Sequence, residues 1–228
     1  MAFPSDYTYK VPLTTDSSQV ASNESNFPYY FDLANISDSQ FWNNVQSDGG
    51  DLRVSTNSDG SNQIPLEVAA IDTASQTGEI HFKDSTDSAS NKTYYLWWED
   101  TTGAVSQPAA TDPNGRNAVW SRYLAVYHLN ETSGSTAVDS TGSNDGTYQG
   151  NLPTPVDGLL TNAQHIQGTS DYVSVPSIDT GGKGWVQNIF HFDDLGTPRA
   201  FNFDWVFQDG SLSVEDNGNN QDEFYWRY

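Results

Sequence analysis

The chain has 228 residues and carries 30 acidic against 9 basic side chains, a formal net charge of −21. Such a surface repels phosphate backbones and anionic headgroups, so neither nucleic acid nor membrane is expected as a partner. It contains no cysteine, which excludes disulfides, thiolate metal sites and cysteine nucleophiles.

Hydrophobic residues make up 35% and aromatics 13%, enough bulk to bury a core in spite of the polarity. The polar remainder is mostly Ser, Thr, Asn, Asp and Gly, the residues of turns and of the wet faces of sheets. The predicted fold class is all-β: two antiparallel, jelly-roll-like sandwich modules joined by a short linker. Met1-Ala2-Phe3-Pro4-Ser5-Asp6 has neither a basic n-region nor an apolar h-region, and no run approaches the roughly 18 apolar residues of a membrane span. A chain of extracellular composition without an export signal is expected to be either a recombinant fragment or a virion protein released by lysis.

The first predicted module covers 1–100. Its strands are Tyr7–Thr14, Phe27–Leu33, Asp51–Ser55, Ile64–Ile71, Glu79–Lys83 and Thr93–Glu99, short alternating runs at the spacing of an antiparallel sandwich. Asp48-Gly49-Gly50, Asn57-Ser58-Asp59-Gly60 and Thr77-Gly78 read as turns between them. Phe41, Trp42 and Val45 suggest one short helix over Ser37–Val45, capped by Ser37 or Asp38. The polar stretch 101–122, with Pro108, Pro113 and Gly115, reads as the linker. The second module, 123–228, carries candidate strands Tyr123–Leu129, Gly146–Gln149, Ala163–Gln167, Tyr172–Val175, Val186–Phe192, Ala200–Phe207, Ser211–Glu215 and Glu223–Trp226. Asp209-Gly210 is a two-residue hairpin signal.

Five segments carry a first resemblance: Tyr9-Lys10-Val11, Asn26-Phe27-Pro28, Gly50-Asp51-Leu52-Arg53-Val54, Ile64-Pro65-Leu66-Glu67-Val68 and Tyr94-Tyr95-Leu96-Trp97-Trp98. In that order and spacing, over about residues 7–100, the chain resembles a β-sandwich family of unassigned function. That family occurs upstream of lectin-like domains in secreted bacterial and phage proteins. A second set comprises Ala125-Val126-Tyr127-His128-Leu129-Asn130-Glu131, Val138-Asp139-Ser140-Thr141-Gly142, Gly146 and Ser170-Asp171-Tyr172-Val173-Ser174-Val175-Pro176. It resembles the opening of a laminin-G-like, concanavalin-A-like jelly roll. The resemblance implies carbohydrate or protein binding, often with Ca²⁺. The residues after Pro176 are fewer than a complete jelly roll needs, so the module is expected to be truncated or completed by a neighbouring subunit.

Catalytic chemistry finds little support. His81, His128, His165 and His191 are isolated in the sequence, none at metal-ligand spacing, and each is expected to be structural. There is no Gly-x-Ser-x-Gly elbow and no Gly-rich phosphate loop, so no catalytic residue is assigned. Among the aromatics, Tyr94, Leu96 and Trp98 share one strand face, and Tyr95 and Trp97 the other. One set must be core, leaving the second for a module contact, a subunit or a stacked sugar ring. Trp97, Trp98, Phe224, Tyr225, Trp226 and Tyr228 are therefore the candidate ligand or interface aromatics. Asp139, Asn144 and Asp145 are the candidate Ca²⁺ ligands, closely spaced oxygens around glycines. The alternative there is an Asx-rich turn that satisfies its own backbone.

The expected function is a non-enzymatic virion surface protein, a capsid decoration or fibre component of a tailed phage. Its expected partners are itself, as a homo-oligomer, other virion proteins and surface glycans, with Ca²⁺ as the one cofactor considered. The alternative is a carbohydrate-binding or adhesion module of a secreted bacterial protein, and a weaker one a glycoside hydrolase.

Overall fold

The computed structural model describes residues 3–158, 162–166 and 170–178, together with the backbone of strands at 205–207, 210–215 and 225–227. The chain divides into two compact units, Met1–Pro176 and Ser177–Tyr228. The structure is all-β, with antiparallel sheets and a few short helices. No helix among the described residues is long and apolar enough to cross a membrane.

Seven strands build the first hundred residues: β1 (Tyr7–Thr14), β2 (Phe27–Asp32), β3 (Arg53–Ser55), β4 (Gln63–Ile64), β5 (Leu66–Asp72), β6 (Thr77–Asp84) and β7 (Thr93–Asp100). They form a four-stranded sheet in the order β1-β7-β3-β4 and a three-stranded sheet in the order β2-β6-β5. The alternation in β7 decides which face is core. Tyr94, Leu96 and Trp98 point inward and pair across the sheet with Leu13, Val11 and Tyr9. Ile80 and Phe82 of β6 and Leu66 of β5 supply the opposing face of the same cluster. Helix α1 (Ser39–Asn44) closes it with the fully buried Phe41. Asp38 caps this helix by accepting from Gln40 N at 2.9 Å.

Thr77-Gly78, expected as a turn, instead opens β6, and the turn falls on the four residues before it. Gln76 takes the positive φ, 56°, that the turn requires. A Cβ at Gly78 would come within 2.8 Å of Leu33 Cδ1 and 3.0 Å of the Ala70 carbonyl oxygen.

The stretch 101–122, expected as a linker, is packed. Val105 is buried, Ser106 O accepts from Arg53 Nη2 at 2.8 Å, and Asn114 O accepts from Leu66 N at 3.2 Å. Helix α2 (Arg116–Val119) lies on β5 and β6. Tyr123–Leu129, expected as a strand, contributes a single bridge, Tyr127 to Asp139. Beyond it come β8 (Thr136–Ala137), β9 (Gly146–Gln149), β10 (Pro155–Asp157), β11 (Asn162–Gln164) and β12 (Tyr172–Ser174), paired as β12-β9-β8 and β10-β11. Ala137, Tyr148 and Leu152 form a small second core.

The unit Ser177–Tyr228 contains a meander of β13 (Trp205–Phe207), β14 (Gly210–Glu215) and β15 (Tyr225–Arg227). Phe207 pairs with Gly210, so Gly210 already belongs to the strand. Tyr225 and Trp226 lie on β15, opposite Glu215 and Val214. Phe224, Tyr228 and the expected strand Val186–Phe192 lie outside the described residues.

Candidate functional site

The outer face of the three-stranded sheet carries a row of chemistry-bearing residues. Strand pairing sets Tyr30 of β2 beside His81 of β6, and His81 beside Glu67 of β5. Because β6 turns Ile80 and Phe82 into the core, Glu79 and His81 emerge together on the other side. On an uncovered sheet such a row would be solvated. Here the segment from α2 to β8 and its following loop lies over it.

Glu67 is the centre of the covered region and only 5% exposed. Trp120 Nε1 donates to its Oε2, and His128 Nε2 lies 3.1 Å from the same oxygen. Ser140 Oγ donates to Oε1 at 2.5 Å. Burial opposes the charge on Glu67, but its contacts with His128, Ser140 and Trp120 outweigh that and hold the carboxyl below its usual range. Burial likewise opposes a charged His128. The bond to Glu67 and its charge, with smaller contributions from Glu79 and Glu131, outweigh it and raise the imidazole above its ordinary value. Glu67 and His128 thus favour each other's charged forms, and the carboxylate is hydrogen-bonded on both oxygens. Ser140, Trp120 and His128 all lie after the first hundred residues, so Glu67 clasps this covering segment onto the sandwich.

His81 sits beside the clasp. Its Nε2 is 2.5 Å from Glu79 Oε1, and its ring lies 4.9 Å from that of Trp120 and 5.4 Å from that of His128. Tyr30 and Tyr123, both substantially exposed, flank the group at 5.8 Å from His81 and 5.3 Å from Trp120. One ligand atom from each of Glu79, His81 and His128 lies within 4.8 Å of the others. Beside Glu67 a cavity of about 370 Å³ is lined by Gln107, Arg116, His128, Asn130 and Glu131 among others. Arg116 Nε and Gln107 Oε1 are buried there without a hydrogen-bond partner.

A hydroxyl, a carboxylate and an imidazole thus meet at Glu67, but not in the order that activates a nucleophile. Ser140 Oγ donates to the carboxylate rather than to a ring nitrogen, so no imidazole is placed to take its proton.

The candidate Ca²⁺ ligands also come together, around Asp139, which is fully buried. Its Oδ1 accepts from Val126 N at 2.8 Å and Thr141 N at 3.0 Å. Its Oδ2 accepts from Asn144 N at 2.9 Å, Ser143 N at 3.3 Å and the Thr141 hydroxyl. Asp145 Oδ1 accepts from Asp139 N at 2.9 Å, and the Asn144 side-chain amide donates to Leu124 O at 2.8 Å. Burial raises the Asp139 carboxyl, and these donors more than reverse it, leaving it below the ordinary value. A cation at this loop would compete with amide hydrogens for the same lone pairs.

Trp98 is fully buried, stacked on Tyr9 at 5.6 Å and edge-on to Phe41 at 5.2 Å. Trp97, on the opposite face, is covered by the chain's own N-terminal segment. Phe3 meets it edge-on at 5.7 Å, the Lys10 ammonium sits 4.6 Å above it, and its Nε1 donates to Ser55 Oγ at 2.9 Å. Neither indole offers a free face to a sugar.

The sequence singled out neither Glu67, Glu79 nor Trp120, and treated the two histidines as isolated. Glu79-Ile80-His81 did carry a signal: two potential ligands two apart on a strand must share a face. Compared with protein-family models, curated proteins and solved structures, the chain matches nothing in any of the three.

Proposed function

We propose that the chain is a non-enzymatic surface protein of a virion, a capsid decoration or fibre component, acting through assembly and surface contact. The observation that carries this reading is the wiring of Glu67: its hydroxyl, indole and imidazole partners join the covering segment to the sheet as a clasp, without the hydroxyl–imidazole bond of a serine nucleophile. The acidic shell and the edge strands of two open sheets are consistent with a protein that meets partners outside a cell. Its partners in this reading are further copies of itself and other virion proteins, with surface glycans as ligands.

Mass spectrometry of purified particles tests the location: peptides of this chain at stoichiometric level support it, and their absence refutes it. Sedimentation of the isolated chain tests the assembly. A homo-oligomer that dissociates when Phe224–Tyr228 are deleted supports self-association, and a compact monomer with or without those residues overturns it.

A secreted carbohydrate-binding module is the second reading, and the cavity beside Glu67 favours it. Its lining includes the polar side chains of Gln107, Arg116 and Asn130, of the kind that hydroxyl-rich ligands engage. A glycan array separates the two readings if binding is lost in Arg116→Ala.

A further inference from the structure

We propose that Glu79, His81 and His128 form a binding site for a borderline divalent transition cation of the Zn²⁺ type. Two imidazoles and one carboxylate are the donor set such ions take, with a fourth position left to water or a further ligand. Hard ions such as Ca²⁺ and Mg²⁺ prefer oxygen shells and would pass this set over.

The fold explains why the three donors converge. Glu79 and His81 share the outer face of β6 because they are two residues apart on a strand, with Ile80 in the core between them. His128 arrives from the covering segment, held there by Glu67. The ligand atoms lie within 4.8 Å of one another, and tetrahedral Zn²⁺ wants neighbouring donors about 3.4 Å apart. His81 and Glu79 now stand at 2.5 Å in a hydrogen bond, which the ion would replace, with side-chain rotation setting the spacing.

Two further features suit a cation. Glu67 is the carboxylate partner that commonly orients a ligating imidazole. The Glu79, His81 and His128 side chains keep 14%, 11% and 18% exposure, enough for an ion to enter while most of its surroundings stay dry. A bound ion would cross-link β6 to the covering segment, reinforcing the junction that Glu67 makes from the other side.

The test uses the full chain without a histidine tag, stripped with chelator and titrated at neutral pH with ZnCl₂, with CaCl₂ and MgCl₂ as controls. Calorimetry is expected to show one Zn²⁺ per chain, no Ca²⁺ or Mg²⁺ heat, and a melting temperature that rises with Zn²⁺. Substituting Co²⁺ should give the visible absorption of tetrahedral nitrogen and oxygen coordination. Glu79→Gln and His128→Asn should each weaken Zn²⁺ at least about tenfold, the smaller end of the loss that removing a metal-site partner causes. Circular dichroism keeps a misfolded variant from counting as a lost site. If His128→Asn does not fold, Glu79→Gln alone decides, because its carboxylate makes no bond in the clasp. Absence of stoichiometric Zn²⁺ binding, or binding unchanged in a folded Glu79→Gln protein, overturns the proposal.

Discussion

Glu67→Ala is the substitution that tests how the covering segment is held. It strands Trp120 Nε1 and Ser140 Oγ, on residues only 6% and 2% exposed. An unsatisfied buried donor costs about 1–3 kcal/mol, so the two together cost roughly 2–6 kcal/mol. His128 loses its partner as well, and with a side chain 18% exposed part of that loss is met by water. A loss near the middle, about 4 kcal/mol, would be a large fraction of the roughly 5–15 kcal/mol that holds a domain together. Glu67→Gln should cost less, about 1–2 kcal/mol. Its carbonyl can still serve Trp120 and His128, and its NH₂ can donate to Ser140, whose hydroxyl accepts as well as donates. Urea unfolding followed by tryptophan fluorescence measures both, read as a lower midpoint at unchanged slope. The expected order is wild type, then Gln, then Ala. An alanine variant within about 0.5 kcal/mol of the parent, the range of an ordinary surface change, refutes the clasp.

Three further outcomes are expected. Trp98→Ala removes the largest buried core side chain and should cost about 3–5 kcal/mol, seen as a lower urea midpoint; a variant that melts with the parent contradicts the inward assignment of Trp98. Asp139, whose folded carboxyl lies below its ordinary value of about 3.9, stabilises the fold above that value and stops doing so as pH falls through the folded one. Asp139→Asn should therefore destabilise at neutral pH and flatten the acid limb of the melting-temperature profile, and an unchanged acid limb counts against the turn geometry. With the Asp139 oxygens already accepting amide hydrogens, chelator should leave the melting temperature unmoved in Ca²⁺-containing buffer, whereas a site at 100 times Kd would add about 2.7 kcal/mol.

Local features of the fold were readable where the signal was local. The alternation of Tyr94 to Trp98 gives β7 and its two faces without saying which is core, and Ser37 or Asp38 ahead of Phe41 gives α1 with two choices of cap, because strand period and capping act over a few residues. The start of β6 was misread for a tertiary reason. A glycine after a threonine resembles turn chemistry, but Gly78 answers to the Leu33 side chain packed against it. The stretch 101–122 was misread for a compositional one. Prolines and polar residues suggest a free linker, yet its carbonyls and side chains satisfy the sheet's own backbone and Arg53: Asn114 O on Leu66 N, Ser106 O on the Arg53 guanidinium, Gln107 Nε2 on Gly49 and Leu52 carbonyls.

The hidden site has the same cause as the misread linker. An outward Glu or His on an antiparallel sheet is by default a solvated residue, and by that rule Glu67, Glu79 and His81 carry no message. What changes their meaning is the segment laid over them, which brings in His128, 61 residues from Glu67 in the chain. Had 101–122 been free, Trp120 and His128 would have no fixed position over the sheet. Once that stretch is packed, Trp120 rests on His81, and a row of polar side chains becomes a covered Glu67–His128 pair with a two-histidine, one-carboxylate cluster at its edge. A charged residue at an outward strand position is therefore informative only together with what covers the strand. Here the cover was encoded in the stretch whose composition most resembled a spacer.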